Sequence, residues 1–309
     1  IQNNSEAAML AYMGLYAQQH RGQEGAGVVS SDGVHLHRHM GQGLVSDVFS
    51  DPNVFDGLTG NSAIGHVRYS TTGHSDKKNV GPLTFNMGDY YLSIAHNGNL
   101  VNIEDLRADL QEKGALFQTS TDTEIIIHLI AREKGNNLAE KVERALQKIE
   151  GAYSLLLLSP NEIIAARDPH GIRPFCMGKL QDTVVFASET CALDLLGAEY
   201  LRDVQPGEMI VASDDGFYSQ TIIAPQQSKH CIFEYIYFSR PDSKIFGKSV
   251  DKIRRQFGRK LAKESPANTG NIVISVPDSS NTCALGFSSE SDIKHEIGLI
   301  RNHYVGRTF

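Results

Sequence analysis

Five short stretches of the sequence combine glycine with polar or charged residues at positions typical of loops. Side chains of these types can bind charged groups and donate hydrogen bonds, and glycine lets the backbone come close to a ligand. Each stretch alone also has an ordinary structural explanation, such as a tight turn at Asn-Gly or a helix cap at Ser-Thr-Asp. The stretches are HRGQE at 20–24, GHVRYST at 65–71, HNGNL at 96–100, STDTE at 120–124 and RDPHGIRP at 167–174.

The elements around these stretches show two hydrophobic periods. Alternation of polar and apolar residues predicts strands, and apolar residues three and four apart predict helices. The predicted strands are Gly25–Ser30, Val34–His37, Ser62–Val67, Tyr91–Ala95, Tyr153–Ser159, Glu162–Ala166, Thr183–Ala187 and Glu208–Ala212. The predicted helices are Met9–Gln19, Ile103–Lys113 with Asn102 as its cap, Asp122–Arg132 and Leu138–Ile149. Strand-rich flanks around a helical middle favour a layered α+β fold for this part of the chain.

A linker is predicted at 222–230, and the pattern of the chain changes after it. The predicted elements are an amphipathic helix at Ser249–Glu264, an apolar strand at Asn271–Val276, a turn at Pro277–Ser280 that opens a second helix, and a strand at Ile297–Ile300. A continuous apolar strand is typical of parallel sheets, which are covered on both faces. The order strand, helix, strand therefore predicts one βαβ unit of an α/β domain, with further strands expected beyond these residues.

Composition limits the class of protein. The chain has 309 residues, 40% of them hydrophobic and 21% charged, which favours two domains with cores of their own. The formal net charge of −7 argues against a nucleic-acid-binding protein, which usually carries a basic excess. No run approaches the roughly 20 apolar residues of a membrane span, and the first residues lack a signal-peptide pattern. The four cysteines are too scattered for a zinc site or a disulfide framework, so a reducing cytoplasm is the expected location.

Taken together, in this order and spacing, the five stretches are similar to those of class II glutamine amidotransferases, which are N-terminal-nucleophile hydrolases. The resemblance covers residues 1–225 and continues through Cys231–Ser243, Val276–Ser280 and Arg301–Phe309. These later stretches resemble the amidophosphoribosyltransferase family in particular. The resemblance implies an αββα glutaminase domain at 1–225, followed at 226–309 by the N-terminal part of an α/β type I phosphoribosyltransferase domain.

The implied activity is hydrolysis of glutamine to glutamate and ammonia, followed by transfer of the ammonia to phosphoribosyl pyrophosphate (PRPP). The products are 5-phosphoribosylamine and pyrophosphate, in the first step of de novo purine synthesis. The resemblance also implies Mg2+, purine nucleotide inhibitors and a homo-oligomer (dimer or tetramer), with no nucleic acid or membrane as partner. Two alternatives stay open: a class II amidotransferase that makes amino sugars or asparagine, and a PRPP-sensing regulator with a catalytically dead glutaminase domain.

For the glutamine site, the resemblance assigns a role to each of five residues. The side chain of Asn97 and the N–H of Gly98 would stabilise the oxyanion that forms when the amide is attacked. Arg68 would bind the substrate carboxylate with its planar guanidinium, and Asp122, at the start of a helix, would bind the α-ammonium group. Arg21 would form the wall beside the nucleophile, either directly or as a structural residue.

The resemblance also implies a nucleophile that residues 1–309 do not supply. The family uses an N-terminal cysteine whose own α-amino group acts as the base, since a free amine with a pKa of about 8 is partly deprotonated at neutral pH. Ile1 matches the end of the strand that follows this cysteine, which predicts a cysteine about five residues before Ile1. A dead glutaminase that lacks the cysteine is the competing interpretation.

A second substrate site is implied in the C-terminal part of the chain. Ser279 would bind the pyrophosphate of PRPP and Ser280 would contact Mg2+. The alternative is that these serines simply cap the helix that follows, and both interpretations can hold at once. Arg301, Tyr304 and Arg307 would belong to a loop that folds over PRPP. The main PRPP-binding loop of the family has no match here and is expected further along the chain.

Cys231 matches a cysteine that ligates a [4Fe–4S] cluster in one branch of the family, and the residues around it favour that branch. Its three partner cysteines are expected near the C-terminus of the protein. A lone cysteine is more often an inert thiol, so both interpretations stay open. The other cysteines, Cys176, Cys191 and Cys283, are interpreted as structural.

Overall fold

The computed structural model describes residues 1–69 and 77–302, and the chain divides into two compact units. Unit 1 is Ile1–His230 and unit 2 is Cys231–Phe309. The division follows residue 230, whereas the sequence analysis places the end of the first domain at 225. Residue 230 is also the last residue of the predicted linker.

Unit 1 contains two antiparallel β-sheets, A and B. The strands of sheet A are β1 (Gly25–Ser31), β2 (Leu36–Gln42), β3 (Ser62–Arg68), β8 (Cys176–Leu180), β9 (Thr183–Ala187) and β10 (Glu199–Asp203). The strands of sheet B are β4 (Leu83–Asn86), β5 (Tyr91–Leu100), β6 (Gly151–Leu158), β7 (Glu162–Arg167), β11 (Glu208–Ser213) and β12 (Gly216–Thr221). Sheet B has the order β12-β11-β7-β6-β5-β4.

Sheet A consists of two halves that the first residues of the chain join. The halves have the orders β2-β1-β3 and β10-β8-β9. Gln2 lies between them and forms antiparallel bridges with Ser62 of β3 and Val184 of β9. The residues around Ile1 and Gln2 therefore occupy a central strand position of sheet A.

Helices cover the outer faces of both sheets. The helices of unit 1 are α1 (Ala7–Ala17), α2 (Val45–Val48), α3 (Ile103–Glu112), α4 (Thr123–Arg132), α5 (Leu138–Leu146) and α6 (Thr190–Leu196). Because side chains alternate along a strand, Leu155 and Leu157 of β6 pack against α4 and α5, whereas Leu158 packs between the sheets. A third apolar cluster lies between sheet A and helices α1 and α6. Unit 1 thus has the four layers, helix–sheet–sheet–helix, that the sequence analysis predicts.

The predicted elements of unit 1 recur with ends that differ by a few residues. The elements missed by the sequence analysis are β4, β8, β10, β12, α2 and α6. Most of these elements are short, so neither the strand period nor the helix period extends far enough to be recognised. β12 is in addition largely exposed. Asn102 precedes α3 as predicted, but its side chain bonds to the backbone of Lys148 and Glu150 instead of capping the helix.

Unit 2 contains a hairpin and two helices that pack together. Its elements are a π-helical turn at Glu234–Phe238, β13 (Lys244–Ile245), β14 (Lys248–Ser249), α7 (Val250–Glu264) and α8 (Asn281–Ser291). Helix α7 begins with a side-chain cap, in which Oγ of Ser249 accepts a hydrogen bond from the N–H of Lys252 at 3.4 Å.

The two strands predicted in unit 2 do not form as strands. One parallel bridge joins Val273 to His295, so the pairing has the predicted direction but falls before the predicted strand at 297–300. Side chains on either side of the bridge, such as Ile272 and Ile274, are exposed. A parallel strand is normally covered on both faces, and the described residues supply no such cover.

Within the residues that the structure describes, no helix is both long enough and apolar enough to cross a membrane.

Candidate functional site

Arg68 ends β3 and is almost completely buried, with 7% of its surface exposed. Val67 packs into the core beside α1, so by strand alternation His66 and Arg68 face sheet B. Nη1 of Arg68 donates a hydrogen bond to the carbonyl oxygen of Asn79 at 2.8 Å, and its Nε lies 3.8 Å from Oε2 of Glu24. Glu24, which precedes β1, and Asn79, which follows β3, therefore hold the guanidinium group at this end of the strand.

Asn97 lies in β5, and its side chain reaches across to sheet A. Nδ2 of Asn97 donates a hydrogen bond to Oγ of Ser188, the residue after β9, at 3.2 Å. A side-chain amide carries two N–H bonds, so one remains for another acceptor. Asn97 is thus anchored by Ser188 in an orientation that leaves a donor at the end of the two sheets.

Gly98 occupies a position where no larger residue fits. A Cβ atom at Gly98 would lie 2.0 Å from the carbonyl oxygen of Ala152 and 2.6 Å from Nε2 of His96. The sequence analysis relates the glycines of the five stretches to close approach of the backbone to a ligand. The structure adds a second reason, because the neighbouring strand β6 and the His96 ring already fill the space.

Asp122 lies immediately before α4 and is 6% exposed. Its Oδ2 accepts a hydrogen bond from the N–H of Leu100 at 3.0 Å, and its Oδ1 lies 3.5 Å from Nδ1 of His96. Burial alone would raise the pKa of Asp122. Hydrogen bonding and charge interaction with His96, with smaller contributions from Leu100 and Thr123, outweigh burial and lower the pKa below its usual value. The site therefore favours a carboxylate, the form that can bind a cation.

Hydrogen bonds connect these residues to one another. Asn79, which accepts from Arg68, has a side chain that bonds to the hydroxyl of Ser120 at 3.1 Å and to the N–H of Ser120 at 3.3 Å. Ser120 lies two residues before Asp122 in the chain, and Asp122 in turn bonds to Leu100 at the end of β5. A continuous chain of contacts thus runs from Arg68 to Asp122 and on to the strand that carries Asn97 and Gly98.

Arg21 is buried and bonds to the carboxylate of Glu189, which also lies 2.7 Å from Nε2 of His20. The next residue, Gly22, packs on the backbone of Arg68, where an added Cβ would lie 2.5 Å from the Arg68 carbonyl group. The loop after α1 is therefore fixed against the end of β3. These contacts are of the kind expected for a structural role of Arg21, and both the structural and the direct role stay predictions.

The charged side chains of the stretch at 167–174 bond to backbone groups of the stretch itself and of neighbouring segments. The Arg167 guanidinium donates to the carbonyl oxygens of Gly171, Arg173 and Val204. Asp168, with no exposed surface, accepts from the N–H groups of neighbouring residues. These contacts indicate that the stretch serves as scaffold.

The predicted PRPP residues of unit 2 lie around the turn before α8. Ser279 and Ser280 form the end of the turn, and Ser280 occupies the N-cap position, but its hydroxyl donates to the carbonyl oxygen of Val276 and does not cap the helix. Nε of Arg301 lies 3.1 Å from Oδ2 of Asp278, which brings Arg301 beside the turn. The two other predicted residues, Tyr304 and Arg307, lie outside the described residues.

The cysteines show two environments. Cys176 and Cys191 are buried, and burial raises the pKa of the Cys176 thiol well above its usual value. Cys231 and Cys283 are partly exposed. In the part of the chain that the structure describes, no group of three or more His, Cys, Asp or Glu side chains could hold a metal ion. Cys231 thus has no set of partner ligands within those residues.

Three residues of this site are absent from the sequence-based assignment: Asn79, His96 and Ser188. His96 stands directly before Asn97 in a stretch that the sequence analysis selects, so its position could have suggested a role. Asn79 and Ser188 belong to none of the selected stretches. Ser188 is 91 residues from Asn97, and no local pattern signals that contact.

Comparison with known proteins gives consistent matches. Residues 66–195 match the family described as a glutamine amidotransferase domain. Over its whole length, the chain is 50% identical to amidophosphoribosyltransferase 2, chloroplastic, of Arabidopsis thaliana, of which it covers 55%. It is 46% identical to the amidophosphoribosyltransferase of Bacillus subtilis (strain 168), of which it covers 65%. The chain thus spans between about half and two thirds of the length of these curated relatives.

Among solved structures, the chain resembles glutamine PRPP amidotransferase from B. subtilis complexed with ADP and GMP. The TM-score is 0.94 at 45% sequence identity, and the match covers 100% of this chain and 67% of the other. A structure described as the allosteric regulatory enzyme of purine biosynthesis gives a TM-score of 0.95 at 46% identity, with 66% of that chain covered. Likeness at this identity and coverage extends well beyond a shared fold, and the chain belongs to the amidophosphoribosyltransferase family.

Proposed function

We propose that the protein is a glutamine-dependent amidophosphoribosyltransferase. It would hydrolyse glutamine to glutamate and ammonia and transfer the ammonia to PRPP, giving 5-phosphoribosylamine and pyrophosphate in the first step of de novo purine synthesis. The observation that carries the proposal is the chain of hydrogen bonds that links Arg68, Asp122 and the strand bearing Asn97 and Gly98. Identity of 45–50% to named amidophosphoribosyltransferases supports it.

The charges around this site complement those of free glutamine. The guanidinium of Arg68 would bind the substrate carboxylate, and the carboxylate of Asp122 would bind the α-ammonium group. The N–H of Gly98 and the second N–H of Asn97 would donate to the oxyanion formed when the amide carbon is attacked. Removal of one such donor typically costs about 2.7–4 kcal/mol of transition-state stabilisation. Ser188 supports this assignment, because it orients the Asn97 amide.

The register of the first residues supports the predicted position of the nucleophile. The backbone N and O of Ile1 both bond to Ala63 of β3 at 2.9 Å, in an antiparallel arrangement. In this arrangement each earlier residue pairs with the next residue of β3, and Arg68 lies five residues after Ala63. A cysteine five residues before Ile1 would therefore lie opposite Arg68, with its thiol and α-amino group near the proposed carboxylate-binding residue.

The second reaction is proposed for the turn before α8. Its serines and the N–H groups at the start of the helix suit the pyrophosphate of PRPP, and the positive charge of Arg301 lies beside them. The Ser280 hydroxyl and the Asp278 carboxylate are oxygen ligands of the type that Mg2+ prefers. When bound with PRPP, Mg2+ would neutralise charge on the departing pyrophosphate. A [4Fe–4S] cluster at Cys231 would need ligands from outside the described residues, and no step of the reaction depends on it.

Other properties are proposed from the relatives. One solved structure in the family is complexed with ADP and GMP, which supports purine nucleotides as regulators of this protein. A homo-oligomer and a cytoplasmic location remain predictions of the sequence, and the plant relatives are named as chloroplastic. The catalytically dead regulator finds no support in the comparisons, because the named relatives are transferases.

The test is an assay of the full-length protein with glutamine, PRPP and Mg2+. We expect glutamate and pyrophosphate to appear in equal amounts, and glutamine hydrolysis to accelerate when PRPP is added. Ammonium chloride in place of glutamine separates the second reaction from the first. Absence of glutamate release in the presence of PRPP would contradict the proposal and favour the dead regulator.

A further inference from the structure

The His96 side chain lies beside the proposed glutamine site but points away from Asn97. In β5, Asn97 faces sheet A and bonds to Ser188, so alternation directs His96 to the helical side of sheet B. The His96 side chain is only 2% exposed. His96 therefore cannot contact a substrate between the sheets as Asn97 can, and its role must be sought in what its ring touches.

One ring nitrogen of His96 faces the start of α4. Nδ1 lies 3.5 Å from Oδ1 of Asp122 and 3.2 Å from the hydroxyl oxygen of Thr123. The other oxygen of Asp122 accepts the N–H of Leu100. β5 thus contacts both oxygens of the carboxylate, and the hydroxyl of Thr123 adds a hydrogen bond to Oδ1 at 3.4 Å.

The opposite side of the ring adjoins the proposed oxyanion donor. Nε2 of His96 lies 3.4 Å from the carbonyl oxygen of Ala152 and 2.6 Å from the point where a Cβ atom of residue 98 would be. The ring therefore packs on the backbone of Gly98. Any displacement of the His96 ring therefore changes the surroundings of the Gly98 N–H and of the Asp122 carboxylate together.

The backbone of His96 extends this arrangement to β3. Its carbonyl oxygen lies 3.2 Å from Nε2 of His66, which shares a strand and a face with Arg68. A single residue thus adjoins the two groups that would hold the ammonium group and the amide oxygen of the substrate, and its backbone contacts His66, two residues before Arg68 on β3.

We propose that His96 is a positioning residue that sets selectivity for the α-ammonium group of glutamine by fixing Asp122 relative to the oxyanion donor at Gly98. This inference rests on the proposed function. It predicts that loss of the contact through Nδ1 weakens use of substrates with an α-ammonium group and has little effect on substrates without one. A residue that only supports the fold would affect both kinds of substrate equally.

Two variants of similar size separate the two ring nitrogens. In His96→Asn the side-chain amide can replace Nδ1 near Asp122, whereas in His96→Gln the amide reaches towards the position of Nε2. The readout is kcat/KM of the full-length protein for glutamine and for glutaramate, which is glutamine without its α-amino group. The ratio of the two values measures selectivity for the α-ammonium group.

We expect His96→Gln to lower kcat/KM for glutamine by about tenfold or more, as for loss of a hydrogen bond to a charged group. The ratio of kcat/KM for glutamine to kcat/KM for glutaramate should fall by a similar factor. His96→Asn should keep the ratio within about threefold of the unsubstituted protein. In an Asp122→Asn background, His96→Gln should change the ratio little further, because the partner is already gone.

Equal losses for both substrates in both variants would overturn the inference and leave His96 a structural residue. An unchanged ratio in His96→Gln would also overturn it. If the unsubstituted protein releases no ammonia from glutamine, the proposed function itself fails, and this inference fails with it. Thermal unfolding of each variant shows whether a loss of activity is a loss of folded protein.

Discussion

The two proposed substrate sites are built in contrasting ways. In unit 1, Arg68 and Asp122 are more than nine-tenths buried, and each is held by hydrogen bonds from a different part of the chain. In unit 2, Asp278 and Arg301 are about half exposed, and the Ser280 hydroxyl bonds to a carbonyl group four residues away. The first site is embedded in a packed core, whereas the second lies on an exposed turn.

This difference in burial indicates how strongly the geometry of each site depends on the residues packed around it. A buried polar group that loses its partner costs the full penalty of desolvation, so changes in unit 1 should have large effects. An exposed ion pair contributes little because water screens it, so the arrangement of the turn in unit 2 should be weakly held without a ligand. Substitutions in the two units should therefore differ in the size of their effects.

The largest effect is expected from Gly98→Ala. The added methyl group would meet the carbonyl oxygen of Ala152 and the His96 ring, so β5 must move and the proposed oxyanion donor, the N–H of residue 98, moves with it. We expect kcat for glutamine hydrolysis to fall by at least about 100-fold, while synthesis with ammonium chloride persists. Gly57→Ala is the matched control, since a Cβ at Gly57 meets no atom within 4 Å. A fall below tenfold would show that the packing around Gly98 is looser than the structure indicates.

His66→Gln tests the acid sensitivity of the buried polar groups. Burial lowers the pKa of His66 from 6.5 to about 4, with a smaller opposing contribution from its bond to His96. Between pH 6.5 and 4 the unfolded chain takes up a proton that the folded chain does not, so this residue makes stability fall as the pH falls. The free energy of unfolding should fall by on the order of 3 kcal/mol over this pH range because of His66. The His66→Gln variant has no imidazole at this position and should not show this decrease. Denaturant unfolding at pH 7 and pH 4 measures the difference, with exposed His35→Gln as control.

Equal loss of stability with falling pH in His66→Gln and in the unsubstituted protein would contradict a buried neutral His66. It would also weaken the contrast between the two units, because burial of polar groups is its basis.

Arg68→Lys should have a moderate effect. Lysine keeps the positive charge but not the planar arrangement of donors, so contact with either Asn79 or the substrate carboxylate is lost. We expect KM for glutamine to rise by about 10- to 100-fold, with a smaller change in kcat. Steady-state kinetics measures both constants, and Arg38→Lys, at an exposed position of strand β2, is the control. An unchanged KM would remove Arg68 from the proposed substrate site.

The smallest effect is expected in unit 2, from Ser280→Ala. The hydroxyl bonds only locally in the structure, and a bond between neutral groups typically contributes about 0.5–1.5 kcal/mol. We expect KM for PRPP to rise by about two- to tenfold when the reaction is driven by ammonium chloride. Ser289→Ala, at an exposed position of α8, should not change it. A rise beyond 100-fold would mean that the turn is as tightly constrained as the site in unit 1.

The sequence alone determines the local features of this protein. The hydrophobic period predicts most strands and helices of unit 1, with ends within a few residues of those in the structure. It can do so because burial of one face imposes that period on each element separately. The stretches that carry Arg68, Asn97, Gly98 and Asp122 are recognisable by their resemblance to a known family, because residue types and their spacing along the chain carry that resemblance, and the roles that it implies remain predictions.

The tertiary structure decides which of these stretches meet and which distant residues complete the site. The bond of Asn97 to Ser188, the position of Asn79 between Arg68 and Ser120, and the place of Gln2 between two halves of sheet A all join residues far apart in the chain. Such contacts depend on how the two sheets pack and align. The hydrophobic periods of the single elements do not specify this, because the same periods are compatible with other alignments of the strands. In unit 2 the apolar run at 271–276 does not form a strand, because strand formation requires neighbours that the run itself cannot supply.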